Sequence, residues 1–209
     1  MSFTALLDAN VLWPAALRCT LVRAALRGLY RPVWTQRILD EVASSLMREG
    51  RVQEERIRRT VGLMLEALPH AVISGYENLI PVMKNDPKDR HVLAAAVHAG
   101  AGTIVTRNIH HFPGAARERY GIDLHTPDEF LLDLWDLNAP IMAEVVIAQA
   151  AQLRHPPSSP VEVVEGMRSL VPGFANAIET SGLLGYVREL GEGEVLREES
   201  PIPYSTIPR

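Results

Sequence analysis

An acid set where an apolar strand stops is a natural first candidate for chemistry, because a carboxylate buried without a partner is unfavourable. Asp8 ends the run Phe3–Leu7, with Asn10 two residues on. Glu41 lies in ILDEVASSL, Asp86 and Asp89 in NDPKDRHVLAAA, and Asn108 two residues after the stretch TIVT that ends at Thr106. Four separate segments therefore offer oxygen ligands. Hard divalent cations take such ligands, and Mg2+ uses one or two carboxylates while keeping waters. Cations held this way activate water and stabilise a leaving oxygen in phosphodiester hydrolysis. Each acid also has a plainer explanation. Asp86 can be a helix N-cap with Pro87 at the first helical position, and Asp89 can favour the positive end of the helix macrodipole. Glu41 can be a solvated helix face, at the edge of the buried stripe Ile38, Leu39, Val42 and Leu46. Asp8 is hardest to dismiss, since perturbed acids gather at functional sites.

Those acids need elements to hold them. The first 130 residues alternate short β-prone runs with helical spacings. Strands are expected at Phe3–Leu7, Tyr30–Trp34, Ala71–Ser74, Thr103–Thr106 and Ile122–His125. Helices are expected over 11–29, over 36–48 with Thr35 as the cap and Gly50 as the stop, over 52–68, and from Asp86 through Ala99. Strands alternating with helices imply an α/β fold with a parallel sheet of about five strands flanked by helices. Such sheets place their sites beyond the carboxyl ends of the strands, where Asp8, Asn10, Arg107 and Asn108 fall.

Composition changes after residue 137. An Ala-rich helix is expected over 139–153, then a linker RHPPSSP, then a helix capped by Ser159 and Glu162 that Pro172-Gly173 breaks, then a last helix over 174–187. The organisation expected is an α/β domain over 1–136, a small C-terminal helical region over 137–187 and an acidic flexible tail over 188–209. No apolar run is long enough for a membrane helix, and the opening residues do not read as a signal peptide. Cys19 is the single cysteine, so neither an internal disulfide nor a Cys-based zinc site can form, which fits a reduced cytoplasm. Cys19 and Trp34 read as core, and adjacent His110 and His111 point in different directions, which disfavours zinc. The net charge of −4 hides a division: residues 1–122 hold 16 Lys and Arg against 11 Asp and Glu, and residues 123–209 hold 5 against 14. Arg18, Arg23, Arg27, Arg31 and Arg37 run through an acid-free stretch, either as solvated faces or as a surface for phosphates.

Taken in order, Asp8-x-Asn10, the helical Glu41, the Asp86–Asp89 helix start and the Thr106-Arg107-Asn108 strand end resemble the motifs of PIN domains, a family of metal-dependent nucleases, over about residues 3–130. The resemblance implies Asp8, Glu41 and Asp89 as metal-binding acids, with Asn108 completing the catalytic set where many members carry a fourth acid. Asn10, Asp86, Thr106 and His111 would orient them, and Arg90 and Arg107 would meet nucleic acid. Where members often have Asp this chain has His111, which leaves a weaker second metal site, a residue that orients water or phosphate, or a non-catalytic descendant as readings. The cofactor implied is Mg2+ or Mn2+. The chain looks like the toxin group of the family, which implies an RNA substrate, a cognate antitoxin, a homodimer and no membrane. Alternatives are a binding module that does not cut, a DNA-directed PIN nuclease, and an Asp-dependent phosphatase. The last wants a second Asp where this chain has Asn10.

Overall fold

The computed structural model describes residues 3–48, 54–153 and 157–185. Five strands form one parallel sheet: β1 (Thr4–Leu7), β2 (Arg31–Thr35), β3 (Val72–Ile73), β4 (Thr103–Val105) and β5 (Asp123–His125), in the order β3-β2-β1-β4-β5. Leu6 stands opposite Val33 on one side and Ile104 on the other. β1 is central, and the chain leaves it toward β2 and β3 before returning to build β4 and β5 on the opposite flank. The reversal lies between β1 and β4. Their side-by-side carboxyl ends form the crevice where open α/β sheets bind ligands.

Helices cover this sheet: α1 (Ala9–Leu12), α2 (Ala15–Leu26), α3 (Gln36–Arg48), α4 (Glu54–Ala67), α5 (Arg90–Ala99) and the single turn α6 (Gly114–Arg117). Thr35 caps α3, its Oγ1 accepting from Ile38 N at 3.1 Å. The apolar stripe of α3 is buried as its spacing requires. α4 is described from Glu54, and Gly50, expected to stop α3, lies outside the described residues.

Two helix expectations are corrected here. The single helix over 11–29 is two, because Pro14 lacks an N–H and its extended backbone interrupts the first turns. The carbonyls orphaned at the break are taken by the Arg18 guanidinium, which donates to Leu12 O at 2.6 Å and Trp13 O at 2.9 Å. Asp86 does not cap α5. The helix starts at Arg90, and Asp86 instead closes a turn, its Oδ1 accepting from Lys88 N at 2.9 Å and its carbonyl from Asp89 N at 3.0 Å. Pro87 pre-sets that turn rather than the helix.

Four further helices follow: α7 (Pro127–Leu137), α8 (Ala139–Ala151), α9 (Pro160–Glu165) and α10 (Pro172–Thr180). Thr126 and Glu129 form a capping box on α7, as Ser159 and Glu162 do on α9. Pro172 opens α10 at its first turn instead of breaking a helix, and Asp128 of α7 accepts from Gly173 N and Phe174 N, each at 2.9 Å. α8 lies along α2, where buried Gln149 accepts from Thr20 Oγ1 at 2.8 Å and donates to Ala16 O at 3.1 Å. Arg23 donates to Gln152, and Arg27 pairs with Glu144. One apolar cluster joins Leu6, Tyr30 and Trp34 to Phe130, Met142, Val146 and Phe174, so the C-terminal helices share the core of the sheet. The helix expected over 174–187 is α10 to Thr180, a break at residues 181–182 and helical backbone again at 183–185, while the remainder to 187 and the tail over 188–209 lie outside the described residues.

Candidate active site at the carboxyl edge of the sheet

Asp8 is 3% exposed and is held from three sides. Its Oδ1 accepts from Ala9 N at 2.7 Å, and its Oδ2 accepts from Asn10 Nδ2 and Thr106 Oγ1, both at 2.6 Å. Asp8 N donates to Val105 O at 3.1 Å, which fixes the end of β1 against the end of β4. Asn10 Oδ1 accepts from Arg107 N at 2.9 Å, and Thr106 Oγ1 accepts from Asn108 N at 3.0 Å. Asn10 and Thr106 therefore do what orienting residues do: they spend every nearby donor on holding one carboxylate and one loop. Asn108 enters through its backbone N–H. Among the described residues its half-buried side chain makes no hydrogen bond.

The charge state of Asp8 reports its neighbours. Burial pushes its carboxyl up to about 6, against the hydrogen bond from Thr106, and the negative charges of Asp89 and Glu41 push in the same direction as burial. Asp8, Glu41 and Asp89 thus share one electrostatic site although they come from β1, α3 and the turn before α5. Glu41 has cationic company. Burial raises its pKa, but contacts with His91 and Arg37 outweigh that and hold its carboxyl below the usual range. Arg37 Nε donates to Glu41 Oε1 at 3.2 Å. His91 Nε2 lies 3.2 Å from the same oxygen, in ion-pair range but off the line a hydrogen bond wants, so the contact is best described as proximity.

Asp89 turns away from its helix. It stands at the N-cap of α5 without accepting a capping bond, and its Oδ2 contacts His111 Nδ1 from the loop after β4. Asp86, Asp89 and His111 each bring a ligand atom within 4.8 Å of the others. Among the described residues, the compact ligand group is this one rather than the trio Asp8, Glu41 and Asp89. Asp89 belongs to both. A cluster of carboxylates, with a buried acid raised by burial and further by its acidic neighbours, fits a divalent cation, which would relieve the repulsion.

Arg107 is exposed beside Asn108, while Arg90 is half-buried and turns its Nε toward Asn85 O at 3.4 Å. Arg18 and Arg23 face inward, Arg18 only 1% exposed, and they and Arg27 bind α1 and α8. Arg18 and Arg23 are therefore neither solvated faces nor a phosphate surface, whereas Arg27 is exposed and paired with Glu144. His91, 1% exposed, escaped the sequence analysis. The available signal was a histidine at the start of the apolar face of α5, where Val92–Ala96 are buried. Asn85 was missed as well: it is buried, and neither amide atom has a hydrogen-bond partner.

A PIN-domain family model matches residues 4–110, half of the chain, and the protein belongs to that family. A second model, described as the VapC50 C-terminal domain, matches residues 127–180, which contain α7 to α10. A protein of Mycobacterium tuberculosis (strain ATCC 25618 / H37Rv) named "Putative ribonuclease VapC50" is 42% identical over 108 residues, a stretch covering 52% of this chain and 64% of that protein. This chain therefore aligns with less than two thirds of its relative. No solved structure matches the chain. PIN membership removes the phosphatase alternative, and Asn10, which that alternative wants as a second Asp, is hydrogen-bonded to Asp8 instead. No helix among the described residues is long and apolar enough to cross a membrane.

Proposed function

We propose that the protein is a divalent-metal-dependent endoribonuclease, the toxin of a toxin–antitoxin pair, acting in the cytoplasm with Mg2+ or Mn2+. The observation that carries this reading is Asp8: a buried acid at the β1–β4 crevice, raised by burial and by the charges of Asp89 and Glu41. Asp8, Glu41 and Asp89 would hold the cation, which supplies an activated water and charge stabilisation for phosphodiester hydrolysis. Asn10 and Thr106 keep the Asp8 oxygens aimed, and His91 with Arg37 keeps Glu41 ionised. Arg107, exposed at the rim, meets substrate phosphates; Arg90 braces the turn that carries Asp89 and reaches phosphate with its remaining donors. The name of the mycobacterial relative, a ribonuclease, supports RNA as substrate; the resemblance to the toxin group of the family suggests an antitoxin partner and a homodimer. Residues 1–136 would carry the chemistry, and α8 of the C-terminal region expected over 137–187 buttresses α2.

Purified protein incubated with total RNA tests this reading. Cleavage should require Mg2+ or Mn2+, stop with chelator, and fall at least about 100-fold in Asp8→Asn and Asp89→Asn. RNA bound but left intact under every cation would point to a module that does not cut. Equal cleavage of single-stranded DNA would point to a DNA-directed nuclease. Induced expression should arrest growth, and the adjacent reading frame should relieve the arrest.

A further inference from the structure

We propose that His111 is itself a metal ligand, and that with Asp86 and Asp89 it makes a mixed nitrogen–oxygen seat that selects Mn2+ over Mg2+. This deepens the metal-dependent reading above and rests on it. The three side chains come from two loops, which one backbone hydrogen bond joins and two others shape internally. Asp86 N donates to His111 O at 3.1 Å, Asp89 N to Asp86 O at 3.0 Å, and His111 N to Asn108 O at 2.9 Å. One ligand atom from each side chain already lies within 4.8 Å of the other two, and all three residues are only half-buried, so an ion can enter from solvent. The His111 ring is packed edge-on against His110, with centroids 4.3 Å apart and planes at 76°, and its Nδ1 contacts Asp89 Oδ2. A cation seated on Asp89 is thus within reach of the imidazole.

The site pays little attention to its own stability. Asp89 sits at a helix N-cap yet gives its carboxylate to His111 rather than to the helix. In the same loop, Asn85 is buried with neither amide atom hydrogen-bonded, an arrangement that native proteins keep sparingly. The donor set then decides the ion. Mg2+ demands near-octahedral oxygen coordination and gives up water reluctantly. Imidazole nitrogen suits first-row transition dications, whereas two carboxylates and no thiolate keep the seat hard enough for Mn2+. The competing geometry has the His111 N–H only donating to Asp89. In that case His111 positions an oxygen site and does not discriminate between the two ions.

The test uses the full chain stripped of metal, without RNA. Binding of MnCl2 and MgCl2 is measured by calorimetry, and the Mn2+ complex is examined for 14N coupling by pulsed EPR, in wild type and in His111→Asp. We expect 14N coupling in the wild type and its loss in the variant. The preference for Mn2+ over Mg2+ should fall at least about tenfold on substitution. If His111→Asp does not fold, as judged by circular dichroism, His111→Gln is read in the same way, with at least about tenfold weaker Mn2+ binding and unchanged Mg2+ binding expected. An unchanged preference, a wild-type complex without 14N coupling, or no cation binding at all would overturn the proposal. Failure of the nuclease reading looks different: Mn2+ bound through His111 while RNA stays intact sinks that reading alone. Cleavage of RNA without 14N coupling sinks this one alone.

Discussion

Thr20 and Asp8 are both buried polar side chains, but their surroundings differ in kind. Thr20 lies on the α2–α8 seam, where every neighbour answers it: Gln149 accepts from its hydroxyl and donates to Ala16 O, and Arg27 meets Glu144 close by. Asp8 lies at the carboxyl edge of the sheet, where its hydrogen bonds are satisfied but its charge is not, because Asp89 and Glu41 push its pKa further up. The seam is built for stability and the edge is built at the expense of stability. Charge that is gathered and left uncompensated inside a fold marks the place where a cation belongs.

Breaking the seam should produce the largest loss of stability. Gln149→Ala leaves a cavity and removes two buried hydrogen bonds, although Thr20 Oγ1 still donates to Ala16 O at 3.1 Å, so it should cost about 2–4 kcal/mol in urea unfolding. Cleavage per folded molecule should be unchanged, and a loss of activity beyond the unfolded fraction would make the seam part of the site. Next in size is the pH response of the edge. In chelator, between pH 3.8 and about 6, the native state keeps a proton on Asp8 that the unfolded chain has released. Stability from this group is therefore present at low pH and lost as pH rises through the window. The difference in unfolding free energy between wild type and Asp8→Asn should decline by roughly 2–3 kcal/mol across it. A flat difference would mean that Asp8 is not under this pressure. Gly173→Ala should cost about 1–2 kcal/mol, because the added Cβ would meet Asp128 Oδ2 at 2.9 Å and Leu132 Cδ1 at 3.0 Å. A neutral result would show that the α7–α10 contact gives way easily. The smallest effect is expected far from both regions, where breaking the exposed Arg58–Glu54 pair with Glu54→Ala should change stability by less than about 0.5 kcal/mol.

Much of this was legible in the sequence because it is local. A strand-ending acid, a Thr35 cap and period-2 or helical spacing need only a few neighbouring residues, and the five strands fall where those patterns place them. Proline was harder to interpret. Pro14 separates two helices and Pro172 starts one, and which it does depends on whether the preceding residues find partners for their carbonyls. The capping box at Thr126 has the same signature as the one at Ser159 and was equally available. Arg18 and Arg23 misled for a different reason. Arg23 finds Gln152, 129 residues away, and a composition count sees only its charge. The site divides along the same line. Asp8, Asn10, Thr106 and Asp89 follow from motif order, whereas the meeting of Asp86 and Asp89 with His111 depends on how two loops fold against each other.

The most direct measurement follows the Asp8 carboxyl carbon by NMR as pH is varied, first in chelator and then with saturating Mn2+ or Mg2+. An edge of uncompensated charge predicts a midpoint near 6 without metal, falling below the ordinary aspartate value of about 3.9 when the cation is bound. An ordinary midpoint in chelator, or one that the cation does not move, would contradict the view that this edge is a divalent-metal site.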